Sequence, residues 1–297
     1  MLFLKAAITI VIFYLISQNI EIDKIIPIVT NANLNLLVVA FILQTLAIFI
    51  AGARWFLVMK KLNFPLPLNF YIKQYFIGML FSQALPSSIG GDAYRIVALS
   101  RRKQSKTKSF YGVLIDRILG LLGLLLIVAI GLILNPDILP KEIYLSVFVA
   151  LLIGILLILS LLIFTKFSFL KRFKFLQWVF SLSDYFRHNL HGLSVLTSRM
   201  FISISIHLFV ISCIYCIGLA IGLNQPLEVF LLFVPISLLL TLIPISFAGW
   251  GIREGAMVVL FTLVGSPKEV VLATSILYGI ILILSSLPAT YFFLKKH

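Results

Sequence analysis

The apolar residues of this 297-residue chain fall into long runs separated by short polar punctuation. Six runs have the length of a membrane crossing: "LFLKAAITIVIFYLISQNI" at 2–20, then roughly 34–55, 111–134, 143–165, 200–222 and 269–293. About 20 apolar residues rising 1.5 Å each cross a hydrocarbon core of ~30 Å, and lipid offers no partner to an open backbone, so these runs predict helices. None alternates polar and apolar positions as a barrel strand does. The first run exceeds the roughly 7–15 apolar residues of a secretory signal, and no small-residue cleavage pattern follows, so it reads as a retained span. Two further apolar stretches, about 70–89 and 229–264, are interrupted by proline and glycine and do not fit simple crossings.

Composition agrees with the pattern. Hydrophobic residues make up 61% of the chain and charged residues 11%, with a mean hydropathy of +1.14. Soluble domains carry about 25% charge, so the expected fold class is all-α integral membrane. The net charge of +14 raises the question of nucleic acid, and the placement of the basic residues removes it. Lys60 and Lys61, Arg95 and Arg101 to Lys108, Lys166 to Arg199, and Lys295 with Lys296 occupy alternate loops, whereas Glu21, Asp23, Asp137, Glu142, Glu228 and Glu269 mark the others. That is the positive-inside pattern. It predicts a multi-pass protein of the cytoplasmic membrane with both termini cytoplasmic, no nucleic-acid partner, and basic loops that attract anionic headgroups at about 1 kcal/mol per charge.

The same charges constrain the interrupted stretches. Basic clusters flank 70–89 on both sides, so a single crossing would place one of them outside. A re-entrant hairpin is predicted instead, broken at Pro86, Ser87, Ser88, Gly90 and Gly91. Between Glu228 and Glu269 a second hairpin enters from the opposite face, broken at Pro244 to Gly251. The basic, aromatic-rich segment 166–199 is predicted to include an amphipathic cytoplasmic insert.

The two breaks align with each other. Setting Pro86 on Pro244, an offset of 158 residues, superposes "LPSSIGGDAYR" on "IPISFAGWGIRE" and brings Ser88 onto Ser246 and Gly91 onto Gly249. The same offset carries the span at 111 to the one at 269. The expected architecture is therefore one polytopic domain over 1–297, with about six transmembrane helices and two re-entrant broken hairpins in an inverted repeat, about 1–134 and 143–297. Transporters built this way bind substrate near the midplane between discontinuous segments.

An ionisable side chain at membrane depth costs roughly 2.5 kcal/mol or more unless paired or hydrated. Arg253 and Glu254 at the second break either meet a polar ligand or cap the short return helix. Asp116 and Arg117 are adjacent and point about 100° apart on a helix, so each is expected to pair elsewhere, Asp116 with Arg54, Arg95 or Arg253. Arg54 is expected to snorkel to the interface beside Trp55. Asp92 and Arg95, three apart, share a helix face and are expected to pair locally. Gln83, Ser88 and Ser246 offer hydrogen bonds at the breaks, to a ligand or to freed backbone. No metal or other cofactor is expected: Cys213 and Cys216 lack a second pair of ligands, and His188 and His191 lack the carboxylate spacing of a zinc site.

"LPSSIGGDAYR", the "RW" after the second run, "DRILGLLGL" and above all "IPISFAGWGIREGA" resemble the lysylphosphatidylglycerol synthase transmembrane-region family, a flippase-like group. The resemblance covers nearly the whole chain. It implies movement of a phospholipid or polyprenyl-linked lipid between leaflets, and it places Arg54, Asp92, Arg95, Asp116, Arg117, Arg253 and Glu254 on the family's polar motif positions. Aspartate at 116 departs from the glutamate expected there. No soluble aminoacyltransferase domain follows, so the expectation is a transporter-like membrane protein and not an enzyme. Two rival readings stand beside it: a membrane enzyme using Asp116 or Glu254 as general base, and a membrane subunit that docks a separate cytoplasmic transferase.

Overall fold

Asn33 opens the first long helix by accepting hydrogen bonds on Oδ1 from the backbone N–H groups of Asn35, at 3.0 Å, and Leu36, at 3.4 Å. Elsewhere proline stands at the N-cap position: Pro140, Pro226 and Pro267 each precede a helix, where their fixed φ suits the entry, and none makes a side-chain cap. The computed structural model of the chain describes residues 11, 14, 18, 20–64, 66–84, 89–102, 105–164, 172–173, 176–242 and 249–294. All its regular structure is helical: α1 (Ile22–Thr30), α2 (Leu34–Lys61), α3 (Leu68–Ala84), α4 (Ile89–Ser100), α5 (Lys106–Leu134), α6 (Lys141–Ile163), α7 (Gln177–Asn189), α8 (Leu193–Ala220), α9 (Leu227–Leu240), α10 (Ile252–Thr262), α11 (Lys268–Ser286) and α12 (Pro288–Leu294).

Among the described residues five helical stretches are long and apolar enough to cross a membrane: α2, α5, α6, α8 and Lys268–Tyr291. The expected span at 2–20 lies almost wholly outside the described residues. The predicted boundaries need correction at several ends. Helix α2 runs on to Lys61, α5 begins five residues earlier than expected at Lys106, and α8 begins at Leu193, inside the stretch read as an insert. In each case the added turns carry polar residues, which a hydropathy pattern discards although a helix crossing an interface retains them. The insert is represented by α7, held by Asn189, whose Nδ2 donates to the Val58 carbonyl of α2 at 2.9 Å.

Helices α2 and α8 make the most extensive packing contact and are both 28 residues long. They are antiparallel. At one end the Asn33 N–H donates to the Ala220 carbonyl at 2.9 Å, and at the other Arg199 Nη2 donates to the Leu57 carbonyl at 2.9 Å.

Each interrupted stretch is a helical hairpin beside this pair. In the first, α3 and α4 run antiparallel, with Tyr94 hydroxyl donating to Gln74 Oε1 at 2.7 Å and Phe81 stacked on Tyr94. A β-carbon on Gly91 would collide with the Gly78 carbonyl and Ser82 Oγ, so glycine here permits the close approach of the two arms. In the second hairpin Phe230 and Phe233 of α9 meet Phe261 of α10 edge to face. Gly249 and Gly251, at φ 83° and 86°, turn the chain into α10. The breaks themselves, with Pro86, Ser87, Ser88, Pro244 and Ser246, lie outside the described residues. The first hairpin follows the Lys61 end of α2 and the second follows the Ala220 end of α8, so they approach the α2–α8 pair from opposite ends.

Candidate functional site

Five of the charged residues singled out in the sequence form one alternating chain. Arg54 Nε on α2 donates to Asp116 Oδ1 on α5 at 2.9 Å, and Asp116 Oδ2 accepts from Arg95 Nη1 on α4 at 2.9 Å. Arg95 Nη2 donates to Asp92 Oδ1 at 2.6 Å, and Asp92 in turn accepts from Arg117 Nε and Nη2 at 2.9 to 3.0 Å. Three guanidinium groups and two carboxylates leave one net positive charge. Arg54, Arg95 and Asp116 are essentially inaccessible, at 4%, 2% and 0% exposure, whereas the Arg117 side chain is 43% exposed. The unneutralised charge therefore reaches open space at Arg117. Among the described residues no hydrogen bond engages its Nη1.

This pairing corrects one expectation and meets another. Arg54 does not snorkel to the interface: Lys60 and Lys61, two turns further on, occupy that position, and Arg54 turns inward to Asp116 and to Ser203 Oγ of α8 at 3.0 Å. Gly120 makes the room, because a β-carbon there would lie 3.2 Å from Arg54 Nη2. Asp116 pairs with Arg54 and Arg95 together, and not with Arg253. The local Asp92–Arg95 pair and the separation of Asp116 from Arg117 are as expected.

Arg253 forms a second, self-contained cluster. Its Nε donates to Glu254 Oε1 at 3.1 Å and to Ser275 Oγ at 3.0 Å, and its Nη2 donates to the Ser275 carbonyl at 3.1 Å. Glu254 Oε2 accepts from the Gly251 N–H at 2.7 Å, so it caps α10 from its third position as well as neutralising Arg253. The capping and the buried-charge readings are thus both realised in one residue. Both key arginines are also held by aromatic faces. Arg95 lies 5.0 Å from the Trp55 ring centroid and 4.7 Å from Tyr75, and Arg253 lies 5.2 Å from Trp250 and 5.0 Å from Tyr278. Desolvated contacts of this kind contribute about 2 kcal/mol each.

The two clusters border a common cavity of ≈ 260 Å³. Its walls include Gln44 and Ala51 of α2, Tyr75 and Gln83 of α3, Arg117, His207 of α8, Thr241 and Gly249 from either side of the second break, Arg253, and Tyr278 of α11. Gln44 to Ala51 bracket the midpoint of α2, and Ile206, His207 and Val210 bracket that of α8. The cavity therefore sits at mid-depth of the α2–α8 pair. Of the sequence candidates, Gln83, Arg117 and Arg253 line it directly, while Arg54, Asp92, Arg95, Asp116 and Glu254 stand behind as a supporting layer. Ser88 and Ser246 lie outside the described residues.

Sequence reasoning passed over several members of this site. His207 is an ionisable group inside an apolar span, a signal that by itself warrants a functional reading. Gln44 sits mid-span for the same reason. Ser203 and Ser275 carried no signal, since serine is ordinary in membrane helices. A second, larger hollow of ≈ 860 Å³ lies on the other side of the α2–α3 seam, lined by Thr45, Phe49, Ile72 and Phe76 with Lys73 and Arg102 toward one end.

One stretch of 121 residues is 31% identical to the UPF0104 membrane protein MJ1595 of Methanocaldococcus jannaschii, covering 39% of this chain and 36% of that protein. The chain thus matches little more than a third of that relative's length. The model of the lysylphosphatidylglycerol synthase TM region matches residues 2–289. With that match running through both hairpins and every described charged residue of the site, the chain belongs to the lysylphosphatidylglycerol synthase TM region family.

Proposed function

We propose that the protein binds the polar headgroup of an anionic or zwitterionic lipid in the mid-depth cavity and passes it between leaflets. The observation that carries this reading is the cavity itself. Cationic Arg117 and Arg253 face it, at the depth where a headgroup in transit has no water. Moving a charged group through hydrocarbon unaided costs many kcal/mol, and charge-assisted hydrogen bonds to a phosphate offset part of that cost. The hollow across the α2–α3 seam, apolar and open toward Lys73 and Arg102, suits the acyl chains that stay in lipid while the headgroup moves.

Three features support an inverted repeat behind this function. Helices α2 and α8 are equal in length and antiparallel, each is followed by a helical hairpin, and the hairpins approach from opposite ends. In that reading the two hairpins border the cavity from opposite sides, through Gln83 of the first and Thr241 and Gly249 of the second, with the basic loops on the cytoplasmic face of the membrane.

The general-base alternative receives less support. Both oxygens of Asp116 accept from arginine, and those of Glu254 are taken by Arg253, Ser275 and the Gly251 N–H. Both carboxylates are 0% exposed and neither lines the cavity. Docking of a separate transferase on the basic loops is compatible with lipid binding and rests on charge alone.

The test is a scrambling assay on the full chain in vesicles with tail-labelled phospholipid. Wild type is expected to give the outer-leaflet quencher access to inner-leaflet label, and Arg117→Ala to slow that exchange by tenfold or more while eluting as a folded protein. Equal rates for wild type, Arg117→Ala and empty vesicles would overturn the proposal.

A further inference from the structure

Two neutral polar side chains in the cavity are left over once the ion pairs are assigned. Gln44 is 2% exposed, lines the cavity, and its Oε1 has no hydrogen-bond partner. A buried, unsatisfied amide costs about 1–3 kcal/mol, so its persistence calls for a partner that arrives with the ligand. His207 is the second. Its Nε2 lies 2.8 Å from the Gly120 carbonyl, which accepts only, so Nε2 carries a proton and, in the neutral ring, Nδ1 carries the lone pair. Among the described residues no other hydrogen bond engages the ring, and the residue lines the cavity. Helices α2 and α8 are antiparallel neighbours, which sets Gln44 and His207 about one turn apart on facing helices.

We infer that Gln44 and His207 form a reading pair that accepts a hydrogen bond from a donor group on the ligand, beside the phosphate held by Arg117. This rests on the carrier reading of the cavity and specifies which ligands it prefers. Arginine supplies only donors, so a phosphate alone would leave both acceptors unsatisfied. A hydroxyl or ammonium group on the headgroup satisfies them. The charge of the site narrows the choice further. The chain from Arg54 to Arg117 carries one net positive charge and the Arg253–Glu254 cluster none, which balances one phosphodiester and leaves a diphosphate over-charged. Volume agrees: at the roughly 30 Å³ of one water in the liquid, ≈ 260 Å³ holds on the order of nine water-sized groups, a phosphodiester with a short hydroxylated tail.

The experiment compares tail-labelled phosphatidylglycerol with tail-labelled phosphatidylmethanol, which has the same charge and no donor, in vesicles containing the full chain. Wild type is expected to move phosphatidylglycerol about tenfold faster. In Gln44→Leu and in His207→Phe the ratio is expected to fall toward one through loss of phosphatidylglycerol movement. Equal rates for the two lipids in wild type would overturn the reading pair and leave the carrier proposal standing. Movement of neither lipid by wild type would overturn both. Loss of both lipids in both variants would also overturn the pair, since it would show a role in holding the cavity and not in choosing its occupant.

Discussion

Asp116→Asn changes one atom and removes the charge that two buried arginines share. In the wild type, Arg54 Nε and Arg95 Nη1 each lie 2.9 Å from one of its oxygens, and all three residues are at most 4% exposed. Asparagine keeps the shape, retains one acceptor, and turns its second polar atom into a donor facing a guanidinium. The buried charge rises from one net positive to two. Removing one partner of a buried ion pair costs about 3–5 kcal/mol, mostly because the survivor is stranded without water; here Arg54 loses the carboxylate it pairs with, whereas Arg95 keeps Asp92 at 2.6 Å. The expected loss lies within that range, about 3–5 kcal/mol. A double-mutant cycle isolates the coupling: Arg54→Met leaves Asp116 paired with Arg95 alone, and in Arg54→Met combined with Asp116→Asn no Arg54 charge remains to strand. The double variant should be less destabilised than the sum of the singles by about 2–3 kcal/mol, within the range seen for residues in one network. Reversible unfolding of the detergent-solubilised chain by increasing SDS mole fraction reads each value. Additive single and double effects would refute the reasoning, because they would mean that Arg54 and Asp116 do not share an energetic contact.

Three further outcomes follow from the same geometry. Gly279→Ala places a β-carbon 2.5 Å from Trp250 and 2.8 Å from Arg253 Nη2, so it should displace the Arg253 cage, destabilise by about 1–3 kcal/mol and slow lipid exchange; wild-type exchange and stability would contradict the tight seat. Glu254→Gln keeps an acceptor for the Gly251 N–H and loses the charge on Arg253, so α10 should stay helical by hydrogen exchange while stability falls by about 3 kcal/mol; melting of α10 would show that the cap needs the charge. Asn189→Ala removes the bond to the Val58 carbonyl that pins α7 to α2. Trypsin should then cut at Arg187 several-fold faster, with little change in overall stability beyond about 1 kcal/mol; unchanged cleavage would mean that packing of Phe180 and Phe186 alone holds the insert.

Much of this architecture is readable from residue type alone. Apolar run length located the five described spans, because the bilayer imposes that length, and alternating loop charge forced both interrupted stretches to turn back. The helix ends were less legible: Lys60 and Lys61 are helical yet polar, and hydropathy stops at Arg54. The charged residues announced themselves by their cost in lipid. Their partners did not, since whether Asp116 meets Arg253 or Arg54 depends on which helices pack, and that is decided by clearances such as Gly120 against Arg54 of α2 and Gly123 against α8. Gln44 and His207 were visible in principle as polar residues in apolar spans, and were obscured by attention to formal charge.

The alignment of Arg95 with Arg253 carries one asymmetry. Where Arg95 meets Asp116, Arg253 meets the hydroxyl and carbonyl of Ser275. The two halves therefore present unequal potentials to an anion at the middle: the half with Arg117 attracts it and the other is nearly neutral. A passive pathway cannot convert that inequality into net pumping, because forward and reverse journeys cross the same profile. On the carrier reading proposed above, it sets where the cargo rests, closer to the first hairpin, and hence which of the two exits is the slower step. A labelled lipid trapped in mid-journey should accordingly cross-link to α3 and α5 before α10.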